Sequence, residues 1–238
     1  MRTSVVAGAA LLMSGALARD ADMPGYPPPP PPLFSPAFVD LNTGWYLRGD
    51  IGAHWGLLTG ADSAAPFSDP TDSSLGNGMT YGFGVGIKSD WLRTDVTIDF
   101  MTPVQYQGTV ATAGDTTAKI QAATALINGY LDLGTWHRIS PYIGAGAGVA
   151  YARAFDYASP AAPPFFGDTS KNQWNFAYAG MAGIAFAVLP NAMLDVGYRY
   201  LNIGDVKTGS DVFGAMTFKN VAAHQVRVGL RWSFYDPR

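Results

Sequence analysis

The sequence predicts an all-β fold, namely an eight-stranded antiparallel up-and-down transmembrane β-barrel. Three observations lead to this prediction: eight segments alternate apolar and polar residues, aromatic residues bracket the apolar rows, and all 18 acidic residues are aspartate. Glutamate commonly fills exposed helix faces, so its absence disfavours surface helices. The 238 residues fit one barrel domain without disulfides or thiol chemistry, because cysteine is absent, and the net charge of −3 argues against nucleic acid as a partner.

The N-terminal part of the chain predicts export followed by a spacer. A basic Arg2, a short apolar stretch and an Ala-x-Ala motif that ends at Ala18 indicate a signal peptide over residues 1–18. The apolar stretch is too short to span a bilayer, and an uncleaved anchor is the alternative. Residues 19–43 contain an unbroken proline run at 27–32, which favours a stiff periplasmic segment, with binding to cell-wall material as the second interpretation.

The barrel is predicted over residues 44–234, and its first strand, Trp45 to Leu57, sets the pattern. Trp45 and Trp55 bracket an apolar row whose ten steps cover roughly an outer-membrane apolar band, at ~3.3 Å per residue and ~40° of tilt. Seven further segments repeat the alternation, and their apolar rows begin at Met79, Leu92, Ala125, Ile143, Trp174, Leu194 and His224. The aromatic girdle predicted from these rows comprises Trp45, Trp55, Tyr81, Tyr151, Trp174, Phe186, Tyr198 and Trp232.

Connections between the predicted strands alternate between long and short. The long ones are expected at 58–78, 101–117, 156–173 and 202–217, and the short ones at 88–91, 134–140 and 190–192. Long loops of such barrels face the outside, so both ends of the barrel are expected in the periplasm. The run from Phe176 to Leu189 is apolar on both faces, but Gly180, Gly183 and Pro190 disfavour the alternative of a short membrane helix.

A soluble ligand-carrying barrel is the rival fold, because it also alternates apolar and polar residues. Its polar rows would face water and would be long and charged. Here those rows consist mostly of Gly, Ala, Asn, Asp and Arg with few lysines, which suits packing inside a narrow tube. The sequence therefore favours the membrane barrel.

The polar rows carry charges of both signs, which nearly cancel. A lumen ion-pair network is predicted, with Lys88 beside it, from Arg48, Asp50, Arg93, Asp95, Asp99, Asp132, Asp195, Arg199, Arg227 and Arg231. A structural plug is the first interpretation, because an eight-stranded tube is only just wide enough for its own side chains. A thin, poorly selective pore lined by the same residues is the alternative.

No catalytic, metal or cofactor motif is recognised, so no enzyme activity, metal or cofactor is expected. His54, His137 and His224 are scattered, and there is neither a cysteine pair nor a G-x-S-x-G elbow. Some outer-membrane barrels are lipid-modifying hydrolases, and His54 with Asp50 on one lumen face resembles half of such a site. No serine stands beside them, which disfavours that hypothesis.

The closing strand ends as a bacterial outer-membrane barrel ends, with an assembly signal formed by Arg227, Gly229, Trp232 and Phe234. This strand and the segments 44–49, 128–132, 141–146 and 194–200 resemble small alphaproteobacterial outer-membrane barrels, described as outer-membrane immunogenic or porin-like surface proteins. The resemblance implies insertion by the outer-membrane assembly machinery and contact with outer-membrane lipid and lipopolysaccharide, with no shared catalytic motif. A tail at residues 235–238 departs from the family pattern.

The function expected from these features is a structural or surface-interaction role in the outer membrane of a Gram-negative cell, with a small diffusion channel as the alternative. The long connections are rich in aspartate, but their sequence names no external ligand. Their acidic residues are Asp62, Asp69, Asp72, Asp115, Asp168, Asp205 and Asp211.

Overall fold

The computed structural model describes residues 44–63, 69–111, 114–158, 170–208 and 216–234. The predicted signal peptide (1–18), the proline-rich segment (19–43) and the tail (235–238) lie outside these ranges. Within them, the chain contains no helix long and apolar enough to cross a membrane.

The described residues form thirteen β-strands. They are β1 (Gly44–Leu57), β2 (Gly60–Asp62), β3 (Thr71–Leu75), β4 (Asn77–Ser89), β5 (Leu92–Met101), β6 (Val104–Val110), β7 (Gly114–Asp132), β8 (Ile139–Ala158), β9 (Lys171–Leu189), β10 (Ala192–Asn202), β11 (Val206–Lys207), β12 (Thr217–Lys219) and β13 (Ala222–Ser233). Eight of them close a cylinder in the order β1-β4-β5-β7-β8-β9-β10-β13, each antiparallel to its neighbours. The predicted eight-stranded up-and-down barrel is confirmed, and 176–189 lies in β9 rather than in a helix.

The register of the strands determines the width of the cylinder. The ladder of paired residues that starts at one point on β1 returns to β1 ten positions lower, passing through Trp55, His224, Tyr200, Gly180, Ala145, Gly129, Thr94, Ile87 and Trp45. Eight strands with a stagger of ten residues tilt by about 40° from the barrel axis. Such a tube has an interior just wide enough to be filled by side chains.

In the part of the barrel near the short turns, the outer face is apolar and the lumen is polar. We call this the turn end, because it carries the turns Asp90–Trp91 and Pro190–Asn191. Ile51 and Ile127 point outward and are 61% and 69% exposed, whereas the lumen-facing Arg93 is buried. An apolar exterior around a polar interior is the reverse of a water-soluble barrel and is typical of a barrel in lipid.

The opposite end extends well beyond the span that a bilayer requires. Strands β7, β8 and β9 contain 19, 20 and 19 residues, whereas about 9–11 tilted residues cross a membrane. The extension also includes β3 and β6, which pair with each other, and a three-stranded sheet of β11, β12 and β2. We call this extension the rim. Long connections between barrel strands are present as predicted, but 58–78, 101–117 and 202–217 contain rim strands rather than loops alone, and 156–173 begins within β8 and ends within β9.

Polarity inverts in the rim. On β6, Val104, Tyr106 and Val110 point inward and are buried, while Gln105 and Gln107 are exposed. Strand β7 pairs with both β5 and β6: Phe100 of β5 pairs with Ala123, and Val104 of β6 pairs with Ile120. Four steps along the β5–β6 segment therefore correspond to three steps along β7. This bulge at Thr102–Pro103 changes which positions face inward, so that apolar residues enter the lumen and polar residues meet water.

The inverted pattern fills the rim end of the lumen with apolar side chains, which we call the apolar cap. Its fully buried core side chains have at most 3% exposure and include Tyr106, Ile120, Leu201, Val206 and Phe218. The rings of Tyr106 and Phe218 pack with their centroids 4.6 Å apart. The barrel thus has a lipid-facing segment with a charged lumen and a water-facing segment with an apolar core.

We expect cysteine labelling to locate the boundary between the two segments. Gln121 and Ile127 both face outward on β7 and are exposed, but the first belongs to the rim and the second to the apolar band. In lipid nanodiscs, Gln121→Cys should react readily with a water-soluble maleimide, and Ile127→Cys at least about tenfold more slowly because lipid covers it. The chain has no native cysteine to interfere. Equal rates in folded protein would contradict a lipid–water boundary between these positions.

Candidate functional site

The lumen of the lipid-facing segment holds three neighbouring groups of ion pairs, which together we call the network. Arg48 lies at its centre, where Nη2 contacts Asp50 Oδ2 at 3.1 Å and Nη1 contacts Asp95 Oδ2 at 3.1 Å. The same Nη1 also donates a hydrogen bond of 2.8 Å to the hydroxyl of Tyr130. These contacts join strands β1, β5 and β7 across the tube.

Asp95 is a buried carboxylate of the network whose hydrogen-bond donors come from the protein. Tyr46 donates to its Oδ2 at 3.0 Å, and the Asn128 amide donates to its Oδ1 at 2.7 Å. Polar interior groups are tolerated when such donors satisfy them. These donors compensate the buried Asp95 carboxylate for the loss of water.

Towards the rim, the network continues through Arg227 and Asp99. Arg227 contacts both Asp50 and Asp99, and Arg199 Nη1 approaches Asp99 Oδ2 to 2.8 Å. Arg199 Nε donates to the side-chain oxygen of Gln225 at 2.7 Å. Strand β13 is thereby tied to β1, β5 and β10 through side chains as well as through the backbone.

Towards the turn end, Asp132 accepts two cations. Arg93 Nε lies 2.8 Å from Oδ1 and Lys88 Nζ lies 3.1 Å from Oδ2. The Arg93 guanidinium lies 4.7 Å from the ring centroid of Tyr130 and 4.8 Å from that of Tyr142. Cation–π contact of this kind is favourable where water is excluded.

The structure thus brings together in the lumen all ten residues that the sequence assigned to the network. The remaining pair is Arg231 with Asp195, at 3.4 Å. With Lys88, six cations face five carboxylates among these residues, so almost every charge is compensated. The whole group fills the tube and leaves a cavity of about 20 Å³ beside Arg48 and Asp195.

Small residues make room for the network. A Cβ atom on Gly82 would lie 2.2 Å from Asp99 Oδ1 and 2.8 Å from Arg227 Nη2. A Cβ on Gly229, in the closing strand, would lie 2.8 Å from the Cβ of Asp50. Glycine at these positions allows the close approach of the ion pairs to the barrel wall.

The apolar cap lies between the network and the rim opening. His54 and Thr80 are buried at the boundary, and His54 lines an apolar cavity of about 30 Å³ with Leu75, Met101 and Ile120. Apolar residues at 104, 106 and 110 already indicated the cap in the sequence, but they lie in a segment that was expected to be a loop. An ion that crosses the barrel would have to pass both the charged and the apolar layers.

The predicted girdle residues face outward but lie at different heights. Trp45, Phe186 and Trp232 lie near the turn end, and Trp55, Tyr151 and Trp174 lie near the rim. Tyr81 stacks on Phe100 with centroids 5.6 Å apart. Phe186 and Trp174 are twelve positions apart on β9, which is about 30 Å along the barrel axis. These outward aromatic rows therefore span an apolar band of membrane thickness.

Tyr198 is not at either end of the apolar band. It lies six positions beyond Ala192, the first residue of β10, which is about 15 Å along the axis and close to mid-band. Its hydroxyl is hydrogen-bonded to Nδ1 of the outward-facing His224, and the two rings stack. Alternation identifies the face of a residue correctly, but its height depends on the register.

The residues of the predicted assembly signal lie on both faces of β13 and just after it. Trp232 and Phe234 are exposed on the outer face, whereas Arg227 and Gly229 face the lumen network. The backbone N–H of Phe234 donates to the carbonyl of Trp45, so the end of the chain's described part is tied to the start of β1.

Several aspartates of the expected loops brace the rim. Asp69 accepts a hydrogen bond of 3.0 Å from the Ser63 backbone, and Asp205 accepts one of 2.9 Å from the Asn220 backbone. Asp115 accepts from the Thr109 hydroxyl at 3.0 Å. Asp62 is paired with Lys219, while Asp168 and Asp211 lie outside the described residues. Short acidic side chains commonly hold turns in this way.

The three histidines occupy separate places. His54 is buried in the lumen, His137 lies in a turn with φ of 49°, and His224 faces outward beside Tyr198. Among the described residues, no group of three or more His, Cys, Asp or Glu side chains has the arrangement of a metal site.

A closed antiparallel cylinder with an apolar exterior and a charged lumen defines the class of outer-membrane β-barrels. The chain belongs to the outer membrane protein beta-barrel domain family, whose model matches residues 32–234. An uncharacterized protein of Brucella abortus (strain 2308) is 31% identical, over 85% of this chain and 89% of that protein. The protein is accordingly an outer-membrane protein of a Gram-negative bacterium.

Two further comparisons concern the fold and a named relative. The crystal structure of Neisserial surface protein A matches with a TM-score of 0.50 at 23% identity, over 80% of this chain and 97% of that one. A putative adhesin of Rickettsia bellii (strain RML369-C) is 26% identical, over 82% of this chain and 91% of that protein.

We expect Arg93→Asp to lower the thermal unfolding midpoint in detergent. The substitution places a second carboxylate beside Asp132 and removes the cation between the two tyrosine rings, and breaking a buried pair costs about 3–5 kcal/mol. The control is Lys207→Asp, because Lys207 is exposed on the rim and surface changes usually stay within about 0.5 kcal/mol. Equal midpoints for the two variants would refute a stabilising role for the network.

A glycine pair tests how tightly the lumen is packed. Gly82→Ala should destabilise the barrel by about 1–3 kcal/mol, because the new methyl group meets Asp99 and Arg227. Gly129→Ala is the matched control on the lipid-facing side, where a Cβ has nothing within 4 Å. Urea unfolding in lipid vesicles would measure both changes. If Gly82→Ala is as stable as the control, the lumen side chains can shift to accommodate the methyl group and the lumen is not tightly packed.

Proposed function

We propose that this protein is a surface-attachment protein, in which a plugged membrane barrel anchors a rigid extracellular rim that contacts an external surface. The observation that carries the proposal is that β7 and β8 continue past the level of the Tyr151–Trp174 pair to Gly114 and Ala158, nine and seven residues beyond the apolar band. Extra strand length costs conformational entropy and adds nothing to membrane anchoring. It presents a defined surface far above the lipid.

The chemistry of the rim supports recognition by this surface. Its outward residues include the exposed amides Gln105 and Gln107, and its interior is the apolar cap that holds the strands in place. The brace bonds of Asp69, Asp115 and Asp205 restrain the connections further. A recognition surface carried by a rigid scaffold loses little entropy when it binds a partner.

Two kinds of relationship are in keeping with an attachment role. The Rickettsia bellii relative is named a putative adhesin, and the sequence resembles outer-membrane immunogenic or porin-like surface proteins. Export by residues 1–18 and assembly through Arg227, Gly229, Trp232 and Phe234 would bring the rim to the cell exterior, because long barrel extensions face outward.

The contacts in the lumen favour this function over a diffusion channel. The ion-pair network fills the lipid-facing segment, and the apolar cap adds a second barrier that repels ions and water. Folded protein in a planar bilayer should therefore give no steady conductance steps. Reproducible steps would instead establish a pore lined by the network.

Attachment is tested by display in a non-adherent Gram-negative host. Bacteria that carry the wild-type protein should be retained on animal-cell monolayers or matrix-coated wells several-fold above the empty-vector host. A rim variant, Gln105→Arg with Gln107→Arg, should lose most of this gain because it changes the exposed face of β6. The matched control adds two positive charges at the turn end, Leu133→Arg with His137→Arg, and should attach like the wild type.

Heat-modifiable migration and surface protease accessibility verify that each variant is folded and displayed. If displayed wild-type protein gives no gain over the empty-vector host, the attachment function is wrong. If the rim variant attaches as well as the wild type, β6 does not contribute to the adhesive surface.

A further inference from the structure

The outer wall formed by β7, β8 and β9 carries an aromatic row where the apolar band ends. The rings of Tyr151 and Trp174 lie on neighbouring strands with their centroids 5.1 Å apart. Trp174 and Phe176, the next outward residue on β9, are among the most exposed large hydrophobic side chains of the described chain, at 70% and 68%. Aromatic residues at this level mark the boundary between acyl chains and headgroups.

A polar row follows immediately on the same three strands. Gln121, Arg153 and Asn172 are register partners, and they lie two positions beyond Ala123, Tyr151 and Trp174, which are register partners in the row below. Two positions correspond to about 5 Å along the barrel axis. The row therefore lies at the depth of the lipid headgroups and presents a guanidinium between two amides.

The Arg153 guanidinium is held in place without a carboxylate partner among the described residues. It lies 5.3 Å from the ring centroid of Phe155, two positions further along β8. Lys119, the register partner of Phe155, is bonded to Asp156 at 3.0 Å, but both side chains are half exposed, so this pair is weak.

The geometry points to a binding site for the phosphate groups of lipopolysaccharide, with Arg153 and Lys119 as the anion ligands and Tyr151 and Trp174 against the acyl chains. The inference rests on the proposed extracellular position of the rim. Arginine binds phosphate oxygens through two parallel N–H donors, and the neighbouring amides add neutral donors. The cationic group is notable in a chain whose net charge is −3.

A membrane glycolipid fits this site better than a soluble polyanion. Arg153 adjoins the lipid-facing aromatic row and Lys119 lies two positions further along the wall, so a molecule with both acyl chains and phosphates contacts the whole surface at once. A sulfated polysaccharide would contact the cations alone and would leave the aromatic residues to the bilayer. Recognition of a phosphorylated glycolipid of the outer leaflet would also fix the height of the rim above the membrane.

Native mass spectrometry of the folded full-length protein tests the site with purified bisphosphorylated lipid A. We expect Arg153→Gln with Lys119→Gln to reduce the bound fraction at least about tenfold, since charge-assisted bonds to phosphate are lost. The matched control, Lys207→Gln with Lys219→Gln, removes two exposed cations from the other rim sheet and should bind like the wild type. Arg153→Lys, which keeps the charge, should bind better than Arg153→Gln.

Three outcomes would overturn the proposal. One is equal lipid A binding by the double variant and its control, with both shown to be folded by heat-modifiable migration. Another is equal binding of dephosphorylated lipid A, which would leave only hydrophobic contact. The third is a double variant that no longer binds a soluble sulfated polysaccharide bound by the wild type but still binds lipid A. That result would assign the two cations to a glycan. Because purified protein is used, failure here is distinguishable from failure of cell attachment.

Discussion

The closure of eight strands with a stagger of ten residues is the constraint on which the rest of the structure depends. It makes a tube too narrow to hold bulk water, so side chains have to fill it. In the lipid-facing segment the outer positions are apolar and the inner ones polar, and a buried charge is tolerable only with a partner. The chain of contacts from Asp95 through Arg48, Asp50 and Arg227 to Asp99 is the resulting arrangement.

The same cylinder passes from lipid into water, and its polarity inverts at that boundary. A one-residue bulge at Thr102–Pro103 helps to exchange the faces on β5 and β6, so that Tyr106 enters the core while Gln105 meets solvent. The charged plug and the apolar cap therefore have different causes. One is the interior of a membrane protein, and the other is the hydrophobic core of a small water-exposed barrel.

This division separates anchoring from recognition. The lumen network stabilises the barrel and closes it, while the proposed attachment surface and the proposed phosphate site occupy the outer wall, where side chains remain accessible. Arg153 lies at the junction, above the Tyr151–Trp174 pair and below the outermost part of the rim. Contact with lipid phosphates at this height would orient the rim relative to the cell surface.

The sequence by itself determined the fold class, the face of each membrane residue and the membership of the lumen network, because alternation in a strand assigns faces without knowledge of neighbours. Heights and partners needed the tertiary structure, since register decides that Tyr198 lies mid-band and that Arg227 meets Asp99, 128 positions away. The rim strands were missed for a related reason. Their apolar residues point inward rather than outward, and only the closed barrel shows which side of each strand meets lipid, water or core.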